Sequence, residues 1–381
     1  MAKLGDICTI YSGTGFPVQY QGTAEGQYPF YKVGDIAKNV TAGNKYLVFC
    51  ENYVETDIVK IIKGTVLPSR TVVFAKIGEA VKLNRRAITS CECLIDNNAM
   101  GIAPNESVLT LDYFFHYMCS LRLETLAEAT TVPSVKKSLI EKLDIPLPSL
   151  LEQEKISTML NKVSELITLR REQLAKLDQL VKSRFIELFG DPKYNKTNLV
   201  KIGEIGVLTS GGTPSRAKPE YFEGDIRWYS AGELNSLYLP DSVEHISETA
   251  LQQSPAKLFN KGTLMIGMYD TAAFKMGILT EDSSSNQACA NLNPQQGYSV
   301  VWLYYLFDIM KPIFLQERQG VRQKNLSLSK INEFEVPCAP FELQDQFAAF
   351  VEQTNKSKLV IQQSLDKLEL LKKSLMQEYF G

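Results

Sequence analysis

Few residues of this 381-residue chain have types and spacings that could support catalysis or metal binding. The sequence has no Gly-x-x-x-x-Gly-Lys-Ser/Thr loop for nucleotide phosphates, and no Asn/Asp-Pro-Pro-aromatic segment of the kind that amino-methyltransferases use. Residues 13–15, Gly-Thr-Gly, lack the third glycine of a dinucleotide-binding turn, and Cys91-x-Cys93 has no second cysteine pair for zinc. The two histidines, His116 and His245, lie far apart in sequence. We therefore expect no catalytic residue, bound metal or cofactor in this chain.

Basic and polar residues that suit nucleic acids concentrate in segments punctuated by Gly, Pro and Asn, which are predicted loops. Arg and Lys neutralise phosphates or bind guanine, while Asn and Gln bind the edge of adenine. Residues 319–325, Gln-Gly-Val-Arg-Gln-Lys-Asn, combine these chemistries. The alternative for each residue is an ordinary solvated charge. We predict DNA contacts from Thr14, Arg70, Lys76, Arg85, Arg86, Thr213, Ser215, Arg216, Lys218, Lys275, Arg318, Arg322 and Lys324.

Overall composition limits the class of protein. The chain has 41 Lys and Arg residues against 43 Asp and Glu residues, so its net charge does not indicate a general polyanion binder. Any nucleic-acid contact must therefore use local surfaces. Seven scattered cysteines, an odd number, indicate reduced thiols rather than a disulfide framework. No segment approaches the roughly 20 apolar residues of a membrane span, so we expect a cytoplasmic protein without membrane contact.

The chain contains an internal repeat. The opening Lys3-Leu4-Gly5-Asp6-Ile7 is matched by Lys201-Ile202-Gly203-Glu204-Ile205, and Ser12-Gly13 is matched at the same offset by Ser210-Gly211. A second constant offset relates Ile145-Pro146 to Val336-Pro337 and Leu188-Phe189-Gly190 to Tyr379-Phe380-Gly381. The two copies match well at their edges and poorly in the middle. Two modules with one scaffold and different specificities are the simplest explanation, and the alternative is a duplicated fold without division of labour.

Each copy ends in a segment typical of a coiled-coil helix. Residues 151–189 lack Gly and Pro and would form a helix of about 58 Å at ~1.5 Å per residue, which needs a partner. Residues 342–380 have the same character. The two helices most simply pack on each other, and an intermolecular coiled coil is the alternative. Apolar residues at heptad-like spacing define the predicted seams: Leu160, Ile167, Leu174 and Val181 in the first helix, and Ile361, Leu365, Leu368 and Leu375 in the second.

Short strand-like runs and apolar helix-like segments fill the rest of each copy. Strands are predicted at 28–33, 71–77, 226–230 and 263–269, and helices at 111–126 and 300–313. We therefore predict an α+β fold with two pseudo-symmetric, sheet-rich domains separated by two long antiparallel coiled-coil helices. The predicted segments are 1–150 and 191–341 for the domains and 151–190 and 342–381 for the spacer helices.

Over essentially its whole length the chain resembles the specificity (S) subunits of type I restriction-modification systems. The resemblance rests on residues 145–156, Ile-Pro-Leu-Pro-Ser-Leu-Leu-Glu-Gln-Glu-Lys-Ile, and on their counterpart 336–344, Val-Pro-Cys-Ala-Pro-Phe-Glu-Leu-Gln. In that family such a passage leads from a recognition domain into a spacer helix. The Lys-Leu-Gly-Asp-Ile opening and the Phe-Gly helix endings are also similar to the family's.

The resemblance implies a function without an active site in this chain. Each domain would recognise one half of a bipartite target in double-stranded DNA, and the helices would set the gap between the halves. The helices would also bind two modification (methyltransferase) subunits, and restriction (motor-nuclease) subunits would complete the enzyme. S-adenosylmethionine, ATP and Mg²⁺ are expected on those partner subunits. The alternatives are a system whose partner fuses nuclease and methyltransferase, and a coiled-coil adaptor that binds proteins.

Overall fold

The computed structural model describes residues 1–127, 133–318 and 325–381. It divides the chain into two compact units, each described separately below. Unit 1 consists of Met1–Arg171 together with Gln363–Gly381, and unit 2 is Glu172–Gln362. The division falls within both long helices, so each helix contributes to both units. The four-segment division predicted from sequence, which gives the helices segments of their own, stays a prediction.

Strands and helices alternate irregularly along the chain, as in an α+β fold. The strands are β1 (Ala2–Lys3), β2 (Cys8–Ser12), β3 (Tyr28–Tyr31), β4 (Tyr46–Leu47), β5 (Tyr53–Val54), β6 (Val72–Ala75), β7 (Arg86–Thr89), β8 (Leu94–Ile95), β9 (Ala99–Pro104), β10 (Asp144–Ile145), β11 (Leu199–Lys201), β12 (Gly206–Ser210), β13 (Ile226–Tyr229), β14 (Glu244–Ile246), β15 (Leu264–Gly267), β16 (Met276–Ile278), β17 (Ser284–Ser285), β18 (Cys289–Pro294) and β19 (Glu335–Pro337). The helices are α1 (Leu4–Ile7), α2 (Val33–Thr41), α3 (Thr56–Ile61), α4 (Leu111–Ser120), α5 (Lys137–Ile140), α6 (Leu150–Phe189), α7 (Ile202–Ile205), α8 (Glu248–Gln253), α9 (Val300–Phe314), α10 (Leu328–Glu333) and α11 (Phe341–Phe380).

Unit 1 is built around a five-stranded sheet with the order β2-β9-β6-β7-β4, which is antiparallel except for the β4–β7 pair. A three-stranded sheet, β5-β3-β8, and the pair β1-β10 accompany it. Both faces of β6 are buried, because side chains alternate between faces along a strand. Val72 and Phe74 pack with Phe114 of α4, whereas Val73 packs with Ile36 of α2.

Unit 2 repeats this plan. Its four-stranded sheet has the order β12-β18-β15-β16, and β14-β13-β17 and β11-β19 form the smaller sheets. In the central strand β15, Leu264 and Ile266 pack with Trp302 of α9, whereas Met265 packs with Leu239 in a second cluster. The predicted strands and α9 are therefore confirmed to within a few residues.

The recurrence of Ser-Gly in the two copies follows from a close crossing of two backbone segments. A Cβ atom on Gly13 would lie 1.7 Å from the carbonyl oxygen of Asp96, and one on Gly211 would lie 2.2 Å from that of Ser285. Neither position accepts a side chain unless the backbone moves. The residue after each of these glycines donates its N–H to a backbone carbonyl of the neighbouring strand. Thr14 donates to Ile95 of β8 and Gly212 to Ser285 of β17, both at 2.9 Å.

Helix α4 ends at Ser120, six residues before the predicted end at Leu126, because its last turn is bound by side chains from elsewhere in unit 1. The carbonyl oxygen of Leu121 accepts hydrogen bonds from Arg86 at 2.7 Å and from Asn84 at 3.0 Å. Leu121 itself has extended backbone angles and cannot continue the helix. A cation at the carboxyl end of a helix is favourable because it donates hydrogen bonds to the last carbonyls and because it interacts well with the negative end of the helix dipole.

The two long helices run antiparallel within each unit. In unit 1, Arg171 of α6 binds Glu369 of α11 at 2.6 Å, while Ile156 and Phe380 pack in the same core cluster. In unit 2, the rings of Phe185 and Phe347 lie 5.3 Å apart, centroid to centroid. The predicted seam residues point inward: Leu160, Ile167, Val181, Leu365 and Leu375 are buried, and Leu174, Ile361 and Leu368 are half-buried.

A buried glutamine joins the start of each long helix to its own unit. The Gln153 side chain is fully buried, accepts the N–H of Thr110 at 2.8 Å and donates to the carbonyls of Val108 and Pro148 at 2.9 and 3.0 Å. The equivalent Gln344 accepts the N–H of Ser299 at 2.9 Å and donates to Ala339 at 2.7 Å. Thr110 and Ser299 are the N-cap residues that directly precede α4 and α9. The glutamine of the repeated motif is thus a structural residue.

A polar network also fixes α4 against α6 in unit 1. Asp112 accepts hydrogen bonds from Lys45 and from the amide of Asn161, both at 2.8 Å. His116 Nε2 lies 2.8 Å from the Asn161 side-chain oxygen, so this nitrogen is the donor and the ring is the Nε2–H tautomer. Burial lowers the pKa of His116 to about 4. The imidazole is therefore neutral at pH 7, and its hydrogen bond to Asn161 links α4 to α6.

Candidate nucleic-acid interface

Four of the predicted DNA contacts in unit 2, from Thr213 to Lys218, lie on one loop that follows β12. Three hydrogen bonds fix the base of this loop. The N–H of Gly212 donates to Ser285 at 2.9 Å, its carbonyl accepts the indole N–H of Trp228 at 3.0 Å, and Lys257 donates to the carbonyl of Ser210 at 3.0 Å. A Cβ on Gly212 would lie 2.0 Å from the carbonyl oxygen of Pro255. The loop therefore starts from a rigid base.

Arg216 lies on an aromatic surface beside this base. Its guanidinium carbon is 4.2 Å from the ring centroid of Phe222 and 5.5 Å from that of Trp228. Both terminal nitrogens also donate to the two carboxylate oxygens of Glu244. This bonding lowers the pKa of the Glu244 carboxyl below its usual value, so the carboxylate is ionised at neutral pH. Arg216 is therefore exposed to solvent and held by the two rings and the carboxylate.

Lys218 repeats the arrangement on a neighbouring ring. Its ammonium group lies 4.8 Å from the ring centroid of Tyr221 and donates to the tyrosine hydroxyl at 2.9 Å. We call Arg216, Lys218, Tyr221, Phe222 and Trp228 the basic–aromatic ridge. Cations held over ring faces can neutralise phosphates or hydrogen-bond to base edges, and such a surface has the chemistry expected for nucleic acid.

The other predicted residues of unit 2 have different environments. Thr213 donates to the side chain of Gln287, and the Ser215 carbonyl accepts the N–H of Lys218 at 3.1 Å. Lys275 is half-buried in the β15–β16 turn. Arg318 donates its Nε–H to the carbonyl of Leu315 at 2.9 Å. Arg322 and Lys324 lie outside the described residues.

In unit 1 the predicted residues are dispersed. Thr14 accepts the N–H of Thr65 at 3.4 Å, and Lys76 is half-buried, which lowers its pKa. Arg70 has a positive φ of 65° and binds Glu106 through two hydrogen bonds. It lines a hollow together with Ser157 and Thr158 of α6, so it faces the long helix. Arg85 is half-buried.

The prediction for Arg86 is wrong. Its side chain is buried, with 4% of the residue exposed, and its guanidinium donates to the carbonyls of Asn84 at 2.6 Å and Leu121 at 2.7 Å. It lies at the start of strand β7, where it ends helix α4. Phosphates and bases have no access to it.

Sequence reasoning missed the residues that hold the basic side chains. Phe222, Trp228 and Glu244 in unit 2 and Glu106 in unit 1 were not among the candidates. The one available signal was local: Tyr221 and Phe222 follow Lys218 within four residues, a basic–aromatic interleaving. Glu244 is distant in sequence from Arg216 and gives no such signal.

Neither metal binding nor membrane insertion is indicated by the described part of the chain. Among residues 1–127, 133–318 and 325–381, His, Cys, Asp and Glu side chains nowhere gather in threes around a point where a metal could bind. None of the helices described combines the length and apolar character needed to cross a bilayer.

Comparison with known proteins identifies the family. The model of the type I restriction modification DNA specificity domain matches the chain twice, over residues 1–179 and 195–370. This chain therefore belongs to the type I restriction-modification DNA specificity domain family. The two matches correspond to the two copies of the repeat.

Curated relatives and solved structures agree with this assignment. The chain is 29% identical over 153 residues to the type I restriction enzyme MjaIX specificity subunit of Methanocaldococcus jannaschii, covering 39% of this chain and 35% of that protein. It is 23% identical to the EcoR124I/EcoR124II specificity subunit of Escherichia coli, covering 66% of this chain and 62% of that protein. The matches thus span between about a third and two thirds of these relatives.

The fold is shared with the S subunit of the type I system of M. genitalium, with a TM-score of 0.59 at 16% identity, covering 100% of this chain and 95% of the other. A structure described under complex assembly and conformational transition of the type I R-M system gives a TM-score of 0.60 at 17% identity, covering 100% and 96%. At these identities the likeness concerns the fold.

Proposed function

We propose that this chain is the non-catalytic DNA sequence-recognition subunit of a type I restriction-modification enzyme. Each recognition domain would bind one half of a bipartite target in double-stranded DNA. The long helices would set the gap between the halves and bind two modification subunits, to which restriction subunits are added. S-adenosylmethionine, ATP and Mg²⁺ would bind to those partners, which carry the chemistry.

One observation carries the proposal: the same scaffold is built twice but presents different surfaces. Gly13 and Gly211 make the same close crossing, and Gln153 and Gln344 make the same helix junction. The loops after the crossings differ, because residues 211–218 carry Arg and Lys whereas residues 13–20 carry neither. A fixed scaffold with two different binding surfaces suits the recognition of two different half-sites.

The test is selection from duplexes of random sequence, with the modification subunits of the same system present. We expect enrichment of two short sequences separated by a fixed gap. Replacing residues 12–131 by those of another family member should change one half of the selected target and leave the other half unchanged. If no bipartite sequence is enriched, the proposal fails and a protein-binding adaptor becomes the better explanation.

A further inference from the structure

We propose that Glu244 limits the DNA affinity of unit 2 by occupying Arg216 until a duplex offers the guanidinium a matching pair of acceptors. The ligand class is a bidentate acceptor on duplex DNA, either two phosphate oxygens or the O6 and N7 atoms of guanine. The inference rests on the proposed function and extends it to one residue pair.

The geometry makes the two partners of Arg216 mutually exclusive. Both terminal nitrogens of the guanidinium, Nη1 and Nη2, donate to the two oxygens of Glu244, and the second of these bonds measures 2.7 Å. The same fork of donors is the one that matches a phosphate or the major-groove edge of guanine. DNA can therefore engage this edge of Arg216 only when Glu244 has released it.

Breaking the Arg216–Glu244 ion pair costs little free energy, and Arg216 stays in place when the pair is broken. The side chains of Arg216 and Glu244 are 57% and 38% exposed, and ion pairs at such exposed positions contribute little to stability. The ring faces of Phe222 and Trp228 hold the guanidinium from another side, at 4.2 and 5.5 Å. The arginine is therefore already oriented for DNA when the carboxylate leaves.

The surroundings of Glu244 add an effect that does not depend on sequence. Glu244 borders a hollow that is also lined by Glu223 and Asp225. These three carboxylates repel the phosphate backbone of any duplex. Only a duplex that offers Arg216 a well-placed acceptor pair also gains the contact with the released guanidinium.

The test uses the full-length chain assembled with its modification subunits and measures duplex affinity by fluorescence anisotropy over a salt series. The variants are Glu244→Gln, Arg216→Ala and the double variant. Glu333→Gln is the matched control, because it makes the same charge change in an exposed ion pair of unit 2, that with Lys201. Melting curves followed by circular dichroism check that each variant is folded.

We expect Glu244→Gln to raise affinity for the selected target about two- to fivefold, the range set by an exposed ion pair. Affinity for random-sequence duplex should rise less, because such a duplex gains only from the loss of repulsion. In the Arg216→Ala background the gain for the target should fall to this smaller value. Arg216→Ala alone distinguishes the two acceptors: a phosphate contact lowers the salt slope by about one, whereas a guanine contact removes the preference at one position of the selected target.

Two results would overturn the inference. One is a Glu244→Gln variant that behaves like Glu333→Gln. The other is a gain for the target that is as large without Arg216 as with it, which would show a general charge effect. Both require a wild-type complex that selects a bipartite sequence. A wild-type complex that selects no sequence refutes the proposed function instead, so the two failures are distinguishable.

Discussion

Replacing Gln153 by Ala should destabilise unit 1 by about 2–4 kcal/mol. The fully buried side chain makes three hydrogen bonds, to Thr110, Val108 and Pro148. Each such bond contributes ~1 kcal/mol net, and a buried group that loses its partner costs about 1–3 kcal/mol. Gln344 makes two such bonds, so Gln344→Ala should cost less, about 1–3 kcal/mol, and should act on unit 2.

Hydrogen exchange followed by mass spectrometry suits this prediction, because two units need not unfold in a single step. Peptides from strand β6 and helix α4 report on unit 1, and peptides from β15 and α9 report on unit 2. Gln179→Ala, an exposed position on the same helix α6, is the control and should stay within about 0.5 kcal/mol of wild type. A loss below about 1 kcal/mol for Gln153→Ala, or an equal loss in both units, would refute the reasoning.

Three further predictions concern the crossing, the buried histidine and the helices. Gly13→Ala should lower the free energy of unfolding, measured with denaturant, by about 3 kcal/mol, because the added Cβ would lie 1.7 Å from a backbone oxygen. Gly15→Ala is the control and should be neutral, since a Cβ there has nothing within 4 Å. Equal unfolding curves for the two variants would contradict the crossing. Burial lowers the pKa of His116 to about 4, so the ring stays neutral in the folded chain while it takes up a proton in the unfolded chain below pH ~6.5. The free energy of unfolding should therefore be fully present above pH ~6.5 and should fall by about 3 kcal/mol as the pH drops to 4. His116→Asn should lack this fall, and parallel pH profiles would count against the assignment. Deleting seven residues between 160 and 181 should shorten the gap between the two halves of the target, as read from a methylation map of the host. Deleting four residues should instead shift the helix seam out of register. An unchanged gap with intact activity would exclude the helices as spacers.

Those parts of the fold that both copies must build alike were predictable from sequence. Gly13 and Gly211 recur because a Cβ would collide with backbone, and Gln153 and Gln344 recur because each binds the N-cap residue of a helix. Such backbone roles tolerate few residue types, so they remain visible when the rest of the two copies differs. The uninterrupted apolar spacing of the long helices was visible for the same reason.

The environment of each basic residue was not predictable in this way. Arg85 and Arg86 are neighbours in a polar segment. Arg86, the first residue of β7, is nevertheless buried at the carboxyl end of α4, whereas Arg85, just before the strand, is half-buried. Arg70 and Arg216 bind glutamates 36 and 28 residues away in sequence. Such pairings arise from tertiary structure, and no local pattern indicates them.

The division of the long helices between the units has a consequence for synthesis of the protein. Unit 2 is a continuous segment, whereas unit 1 needs residues 363–381, which leave the ribosome long after its first 171 residues. Until then Tyr113 and Tyr117 lack the ring of Phe380, whose centroid lies 5.1 and 5.9 Å from theirs in the folded chain. The first domain to be translated is therefore the last to be covered, and a chain released early would expose apolar surface that favours aggregation and proteolysis.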